Sequence, residues 1–320
     1  MLKTIKAHDL GIGMYVILTQ GWFKHPFLKN KFKINSEKQI KEIIDCGIVN
    51  VVIDTDKSSQ TDNDINLPIR EKWEPKKLIP QEFRDVINDK NFPPKEKAKF
   101  VYKSSIDIMN KLLSRPTAQN IKEFKEGVSD MVDLILADDI TSYYLLNITY
   151  HDHYTYTHSV NVGVYSILLS KALFKNSAIH DMHELGAGFF LHDIGKVKVN
   201  SAIINKQGKL TDDEMSEMRT HPSLGYDILS EANQLSEECK VIVMEHHERY
   251  DGTGYPLGLK GDDIHLYARV CSIADVYDAL TSKRSYKKKL KPFDALALMK
   301  EEMMNHFHKE IFDEFVLLFK

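Results

Sequence analysis

The sequence predicts a mainly α chain, with a long helical second half preceded by a small α+β unit and connecting helices. Three observations predict it. Runs rich in β-branched residues are confined to the first 56 residues, apolar residues recur at helical spacing from Pro94 onward, and a polar, proline-containing stretch separates the two. We place the domains at 1–65, a small α+β regulatory unit, 66–140, a linker with amphipathic connecting helices, and 141–320, a helical domain.

In the first unit, Met14-Tyr15-Val16-Ile17-Leu18 follows Gly11 and Gly13 and reads as a strand. Trp22, Phe23, Phe27 and Phe32 read as core. Ser36 is placed to cap a helix, with Gln39 three residues later and Ile40, Ile43 and Ile44 on its apolar side; Gly47 stops it. Ile48 to Ile53 is a second strand closing at Asp54. Residues 57–80, polar and carrying Pro68, Pro75 and Pro80, read as a linker or extended loop. Phe100, Ile106, Met109 and Leu112-Leu113 predict a helix from Pro94 to about Ser114, and Ile121 to Leu136 a second. Packing is the default use of such helices; signalling connectors and homodimer contacts are the alternatives.

Beyond residue 140 the pattern is helix and loop. Val160, Val164, Ile167-Leu168 and Ala172 form a stripe after His158. Leu185 to Leu191 is an apolar run leading into His192-Asp193. Thr211 and Glu214 form a helix-start signature, Val241 to Met244 leads into His246-His247, and Ala268 to Leu280 is a further helix.

The whole-chain numbers exclude several classes. A net charge of −3 gives no basis for binding a nucleic acid polymer or a membrane surface. No apolar run approaches the roughly 18 residues of a membrane span. Cys46, Cys239 and Cys271 are widely spaced, which argues against a disulfide framework and fits a cytoplasmic protein.

The chemistry lies in the histidines. Five places in the helical half supply metal-ligand side chains: His158, His192-Asp193, His221, His246-His247 and Asp275. Asp193 and Asp275 follow apolar segments, and a buried carboxylate is costly unless it is paired or metal-bound. A lone histidine is more often a satisfied core residue than a ligand, but five such places together make that reading improbable. Adjacent helical residues point about 100° apart, so His246 and His247 share one metal only if the helix ends there or two ions lie side by side. Histidine and carboxylate without thiolate suit iron, manganese or zinc, and Asp193 could bridge two ions. Paired ions about 3.5–4 Å apart are a common device for splitting phosphate esters. Lys196, Arg284, Lys287 and Lys288 lie near these elements in sequence and are candidates for holding phosphate. The Asp251-Gly252 and Gly254-Tyr255-Pro256 breakers predict a tight loop that leaves Arg249 and Tyr255 available to a ligand.

His192-Asp193-Ile194-Gly195-Lys196, His246-His247-Glu248-Arg249, Asp251 to Pro256 and Ala274 to Leu280 resemble the signature of HD-GYP domains, a branch of the HD phosphohydrolases, over roughly residues 145–320. The first half, through Gly13 to Val16, Trp22, Pro26-Phe27 and Val51 to Asp54, resembles the domain often found before HD-GYP domains in bacteria. The resemblance implies an all-helical HD-type catalytic domain with two or three metal ions, commonly iron and sometimes manganese. It implies hydrolysis of cyclic di-GMP to linear pGpG or GMP by a metal-activated hydroxide. It makes His158, His192, Asp193, His221, His246, His247 and Asp275 the ligands, with Asp193 and Lys196 catalytic. Lys196, Arg249, Tyr255, Asp278, Arg284 and Lys287 become candidate substrate contacts, Asp278 also a group behind the ligands. Some members carry a glutamate one turn before the first histidine; here that place holds His153 and Tyr154, so two ions are expected. Ser285 stands where the family usually has proline. Two competing readings are a cyclic-dinucleotide receptor with little turnover and a phosphodiesterase for cyclic GMP-AMP.

Overall fold

The computed structural model describes residues 2–18, 30–45, 48, 50–58, 77–148, 155–175, 177–282 and 289–320. Trp22, Phe23, Phe27, Gly47, His153, Tyr154, Arg284, Ser285, Lys287 and Lys288 lie outside these residues. The chain divides into two compact units, 1–74 and 75–320.

In the first unit, strands β1 (Leu2–Lys6), β2 (Tyr15–Ile17) and β3 (Lys31–Lys33), helix α1 (Glu37–Asp45) and strand β4 (Asn50–Asp54) form a sheet in the order β1-β4-β2-β3, with one helix. All pairs are antiparallel. Val16, Ile34, Ile43 and Val51 are its fully buried centre. The expected start of α1 is present in a shifted form. Ser36 Oγ accepts from Gln39 N–H, but the Gln39 side chain reaches back to Asn35 N–H, one residue earlier than the reciprocal box.

The second unit is helical: α2 (Gln81–Asn88), α3 (Pro94–Ser114), α4 (Ala118–Ala137), α5 (Asp139–Ile148), α6 (Thr155–Phe174), α7 (Met182–Leu191), α8 (Ser201–Ile204), α9 (Asp212–Met218), α10 (His221–Ala232), α11 (Glu237–Glu245), α12 (Leu266–Thr281), α13 (Pro292–Glu302) and α14 (Lys309–Leu317). Helices α3 and α4 match their expected extents. Helix α2 was not expected, because its apolar face is only Phe83, Val86 and Ile87. The start of α9 is as read: Thr211 Oγ1 accepts from Glu214 N–H while Glu214 accepts from Thr211 N–H.

Helix α6 is the axis of this unit. Every residue from Thr157 to Ser170 is buried, against α3, α7 and α12 among others. The sequence reading saw a stripe on this helix; the structure wraps it on all sides, which is why its apolar residues show no single face. Helices α3, α4 and α5 share the core cluster with α6, α7 and α12. Among the described residues, no helix is long and apolar enough to cross a membrane.

A short 3-10 segment, Ile194–Lys198, follows α7 and carries the chain from Asp193 to Lys196. It crosses α10 at a backbone-to-backbone contact: a Cβ at Gly195 would lie 1.9 Å from His221 O and 2.5 Å from Gly225 N. Neither backbone atom can step aside as a side-chain tip could. Gly195→Ala is therefore expected to lower stability by about 3 kcal/mol or more, the upper end for an overpacked contact. Urea unfolding of the variant checks it, and a loss under about 1 kcal/mol would mean that the two segments are not locked together.

Candidate metal centre

Three of the candidate histidines sit where a helix begins or ends. His192 follows the last residue of α7, His246 follows that of α11, and His221 opens α10. Helix ends leave carbonyls without intrahelical partners. Each imidazole uses a carbonyl three residues before it: His192 Nδ1 is 2.9 Å from Phe189 O, His246 Nδ1 2.9 Å from Val243 O, and His221 Nδ1 2.7 Å from Met218 O. A carbonyl only accepts, so each Nδ1 carries the proton and each Nε2 keeps its lone pair. His158 on α6 also donates from Nδ1, to Asp278 Oδ2 at 2.7 Å, but its Nε2 lies 3.0 Å from Asp275 Oδ1 and donates to it, so this ring alone of the four is held in its protonated form.

The four Nε2 atoms converge. His158 and His192 bring theirs within 3.4 Å of each other, and His221 and His246 within 3.3 Å. Asp193 stands between the pairs. Its Oδ2 is 3.5 Å from both His158 Nε2 and His192 Nε2, and its Oδ1 is 3.2 Å from His221 Nε2 and 3.8 Å from His246 Nε2. Asp275, on α12, places Oδ1 3.0 Å from His158 Nε2 and Oδ2 3.5 Å from His247 Nδ1. The structure thus brings all seven expected residues together. They form two groups: Asp193, His221, His246 and His247, and His158, His192 and Asp275. The adjacency of His246 and His247 is resolved by the end of α11 at Glu245. Their ring centroids are 4.1 Å apart, with the rings tilted at 42° to each other.

Protonation follows from burial and partners. Burial opposes ionisation of Asp193, but Lys196, with Nζ 2.5 Å from Oδ2, and His192 outweigh it and hold the carboxyl well below the usual range. Burial likewise opposes ionisation of Asp275, and the hydrogen bond from His158 overcomes it and holds the carboxyl well below the usual range. Burial depresses His246 well below the usual imidazole range and His247 to about 3, so both are neutral. His158 moves the other way, to about 9, because Asp275 and Asp278 more than offset its burial.

This arrangement fits a divalent metal. Asp193 Oδ1 is buried without a hydrogen bond, and the Nε2 lone pairs of His192, His221 and His246 face Asp193 in a site almost sealed from water. Such a donor set is satisfied by cations and by little else.

The loop after the histidines forms one wall. Tyr255 N–H donates to His247 O, and the Tyr255 ring stacks on His247 with centroids 4.7 Å apart. Gly254 permits this turn: a Cβ there would lie 2.3 Å from Arg249 N and 2.5 Å from Glu248 Cα. Two residues that the sequence reading did not single out hold or flank the wall. Glu248 is 2% exposed and accepts backbone N–H bonds from Leu257, Gly258 and Leu259 at 2.6, 3.1 and 3.0 Å. Arg219 lies over the Tyr255 ring at 5.4 Å. Its position two residues before His221 was the available signal. Arg249 is exposed and 3.4 Å from Thr253 Oγ1. Lys196 sits half-buried beside Asp193. Asp278, expected both behind the ligands and against substrate, is fully buried, and its oxygens accept from His158, Asn161 and Ser282, the geometry of a group that backs a ligand. Arg284 and Lys287 lie outside the described residues. The described ends of that segment are tied together by Leu290 N–H donating to Leu280 O at 3.0 Å.

An HD domain profile matches residues 168–311, and a profile described as a domain of unknown function (DUF3391) matches residues 2–126. A protein of Pseudomonas aeruginosa named cyclic di-GMP phosphodiesterase PA4108 is 33% identical over 99% of this chain and 76% of its own length. A Vibrio cholerae protein named 3'3'-cGAMP-specific phosphodiesterase 3 is 36% identical, over 50% of this chain and 34% of its own length. Among solved structures, Bd1817, an HDG"Y"P protein from Bdellovibrio bacteriovorus, covers 100% of this chain and 99% of its own with a TM-score of 0.62; at 16% identity this is a likeness of fold.

The clamp on the loop is directly testable. Glu248→Gln replaces one accepting oxygen by an NH2 group that faces backbone donors. Stability should fall by about 1.5–3 kcal/mol, the scale of hydrogen bonds to a charged group. Amide exchange at Leu257, Gly258 and Leu259 should accelerate while the amides of α6 stay protected. Unchanged exchange at those three amides would show that Glu248 does not hold the loop.

Proposed function

The chain belongs to the HD-GYP branch of the HD phosphohydrolases, and we propose that it hydrolyses cyclic di-GMP at a centre of two divalent ions, iron by preference and manganese as the alternative. The observation that carries this reading is Asp193: one carboxylate oxygen faces His158 and His192, the other faces His221 and His246. A carboxylate so placed can serve two ions at once. His158, His192 and Asp275 would hold one, and His221, His246 and His247 the other. No carboxylate stands at positions 153 and 154 to favour a third.

Divalent ions held there would supply Lewis acidity and an activated water for displacement at phosphorus. The chain's own residues do the rest. Asp193 and Asp275 remain ionised, and His192, His221 and His246 keep Nε2 free for the centre, so most donors need no rearrangement; His158 gives up its Nε2 proton when it becomes a ligand. Lys196 Nζ is positioned to neutralise a phosphate oxygen brought beside Asp193. Arg249 and Arg219 flank Tyr255 at the rim, where guanidinium forks can each grip a phosphate through two hydrogen bonds. Opening one ester bond gives pGpG, and opening the second gives GMP. The resemblance to a relative named for cyclic GMP-AMP favours a second substrate on the same site.

The test is turnover of both dinucleotides by the metal-loaded full chain, with products identified. Consumption of cyclic di-GMP is expected. Tight binding without turnover would return the protein to a receptor. Asp193→Ala should lose metal and activity together while keeping its helical circular dichroism, because the core clusters do not include it. Wild-type turnover in that variant would sink the assignment.

The segment after α12 supplies a separate outcome. Arg284 is nine residues beyond Asp275 and is assigned to substrate phosphate, not metal. Arg284→Ala is expected to keep its metal and to bind cyclic di-GMP about 1.5–3 kcal/mol more weakly. Lys289→Ala should bind as the wild type does. Calorimetry on the two metal-loaded variants decides it, and equal affinities would make this segment ordinary surface.

A further inference from the structure

A line of buried hydrogen bonds leaves the metal centre and ends on α3, a helix that the sequence reading treated as a connector. Asp278 Oδ2 accepts from His158 Nδ1 at 2.7 Å, and Asp278 Oδ1 accepts from Asn161 Nδ2 at 2.7 Å. Asn161 Oδ1 in turn accepts from Tyr102 Oη at 2.7 Å. Tyr102 is 9% exposed, His158 3%, and Asn161 and Asp278 are fully buried. Three helices, α3, α6 and α12, each contribute to this line.

We infer that Tyr102 is a positioning residue for the metal centre, acting through Asn161 and Asp278 to fix the ring of His158 with Nε2 toward the ions. The inference rests on the binuclear reading above. The direction of every bond supports it. The Tyr102 hydroxyl has one proton to give and gives it to Asn161 Oδ1. That fixes which end of the amide faces Asp278: the NH2 end. Asp278 then has a donor on Oδ1 and holds Oδ2 for His158. Without the hydroxyl, Asn161 Oδ1 is a buried acceptor with no donor, and the amide loses the contact that fixes its angle to Asp278. A tilted amide gives Asp278 Oδ1 a longer and weaker hydrogen bond. The aspartate must then shift, and the imidazole that it orients shifts with it. Burial and the Asp278 charge raise the Tyr102 hydroxyl above its ordinary range, so it stays a neutral donor. Helix α3 thereby has a route to the ligands that does not pass through the substrate loop.

Partners that hold a ligating histidine are commonly worth 10–100-fold in metal affinity, and Tyr102 acts two bonds further out, so an effect of about 3–10-fold is expected. The test is calorimetric titration of metal-stripped full chain with Mn2+, beside thermal unfolding of the same samples. Tyr102→Phe keeps the ring and removes only the hydroxyl. It should bind Mn2+ about 3–10-fold more weakly than the wild type. Ser105→Ala is the control: Ser105 is also a buried hydroxyl on α3, but its Oγ meets Met131 Sδ and not this line. It should match the wild type within about twofold. In an Asn161→Ala background, Tyr102→Phe should add less than about twofold, because the route is already cut. The proposal is overturned if Tyr102→Phe binds Mn2+ as tightly as the wild type. It is also overturned if Ser105→Ala loses as much, or if the Tyr102 and Asn161 losses simply multiply. These titrations read the relay whether or not cyclic di-GMP proves to be the substrate, so the two readings fail separately. Hydrolysis by Tyr102→Phe should recover when excess Mn2+ is supplied.

Discussion

The arrangement depends on keeping the Asp193 carboxylate ionised at 1% exposure. Removing such a charge from water costs several kcal/mol even after the surroundings relax, roughly the whole margin by which a domain is stable. Lys196 and the imidazoles around it offset that cost in part, and a cation between the two groups of donors would offset the rest. Much of the surrounding architecture serves this one group. Helix α7 delivers it from a wholly buried run, the 3-10 segment returns Lys196 to it, and Gly195 lets that segment lie directly on α10.

The same physics explains where the histidines sit. A helix terminus has carbonyls with no partner and a backbone that is about to turn. Phe189, Val243 and Met218 each give such a carbonyl to an imidazole Nδ1, which stabilises the helix end and fixes the tautomer in one contact. His158 has no spare carbonyl beside it: it stands in the first turn of α6, which runs from Thr155 to Phe174, and carbonyls at a helix start are taken by the helix itself. It takes a carboxylate in place of a carbonyl, and that carboxylate needs the Asn161 amide and the Ser282 hydroxyl to hold it. The difference between histidines beside spare carbonyls of a preceding helix and one without them is therefore the reason that this centre reaches back to α3.

Much of this was legible in the sequence, for definite reasons. The extents of α3 and α4 follow from apolar spacing bounded by proline, and the start of α9 from Thr211 and Glu214. Asp193 and Asp275 were legible because they follow apolar runs, where a charge needs a partner; His158 and His221 follow none, and the full set of seven donors came from the resemblance to HD-GYP domains. Long-range partners were not legible. Asn161 and Tyr102 are 59 positions apart, and nothing local in either marks them as a pair. Glu248 looked like part of a motif, while its three bonds to Leu257, Gly258 and Leu259 exist only once the loop folds back. Asp278 was read as both a backing group and a substrate contact, and only its complete burial separates the two. Helix α2 was missed because eight residues with three buried side chains give too short a period to read.

The central claim is that Asp193 serves two ions, one on each oxygen. An anomalous-difference map of crystals grown from metal-loaded wild-type protein measures this directly. Two peaks about 3.5–4 Å apart are expected, on opposite sides of the Asp193 carboxylate, one beside His158, His192 and Asp275 and the other beside His221, His246 and His247. A single peak, a third of equal height, or a pair that Asp193 does not touch would contradict it.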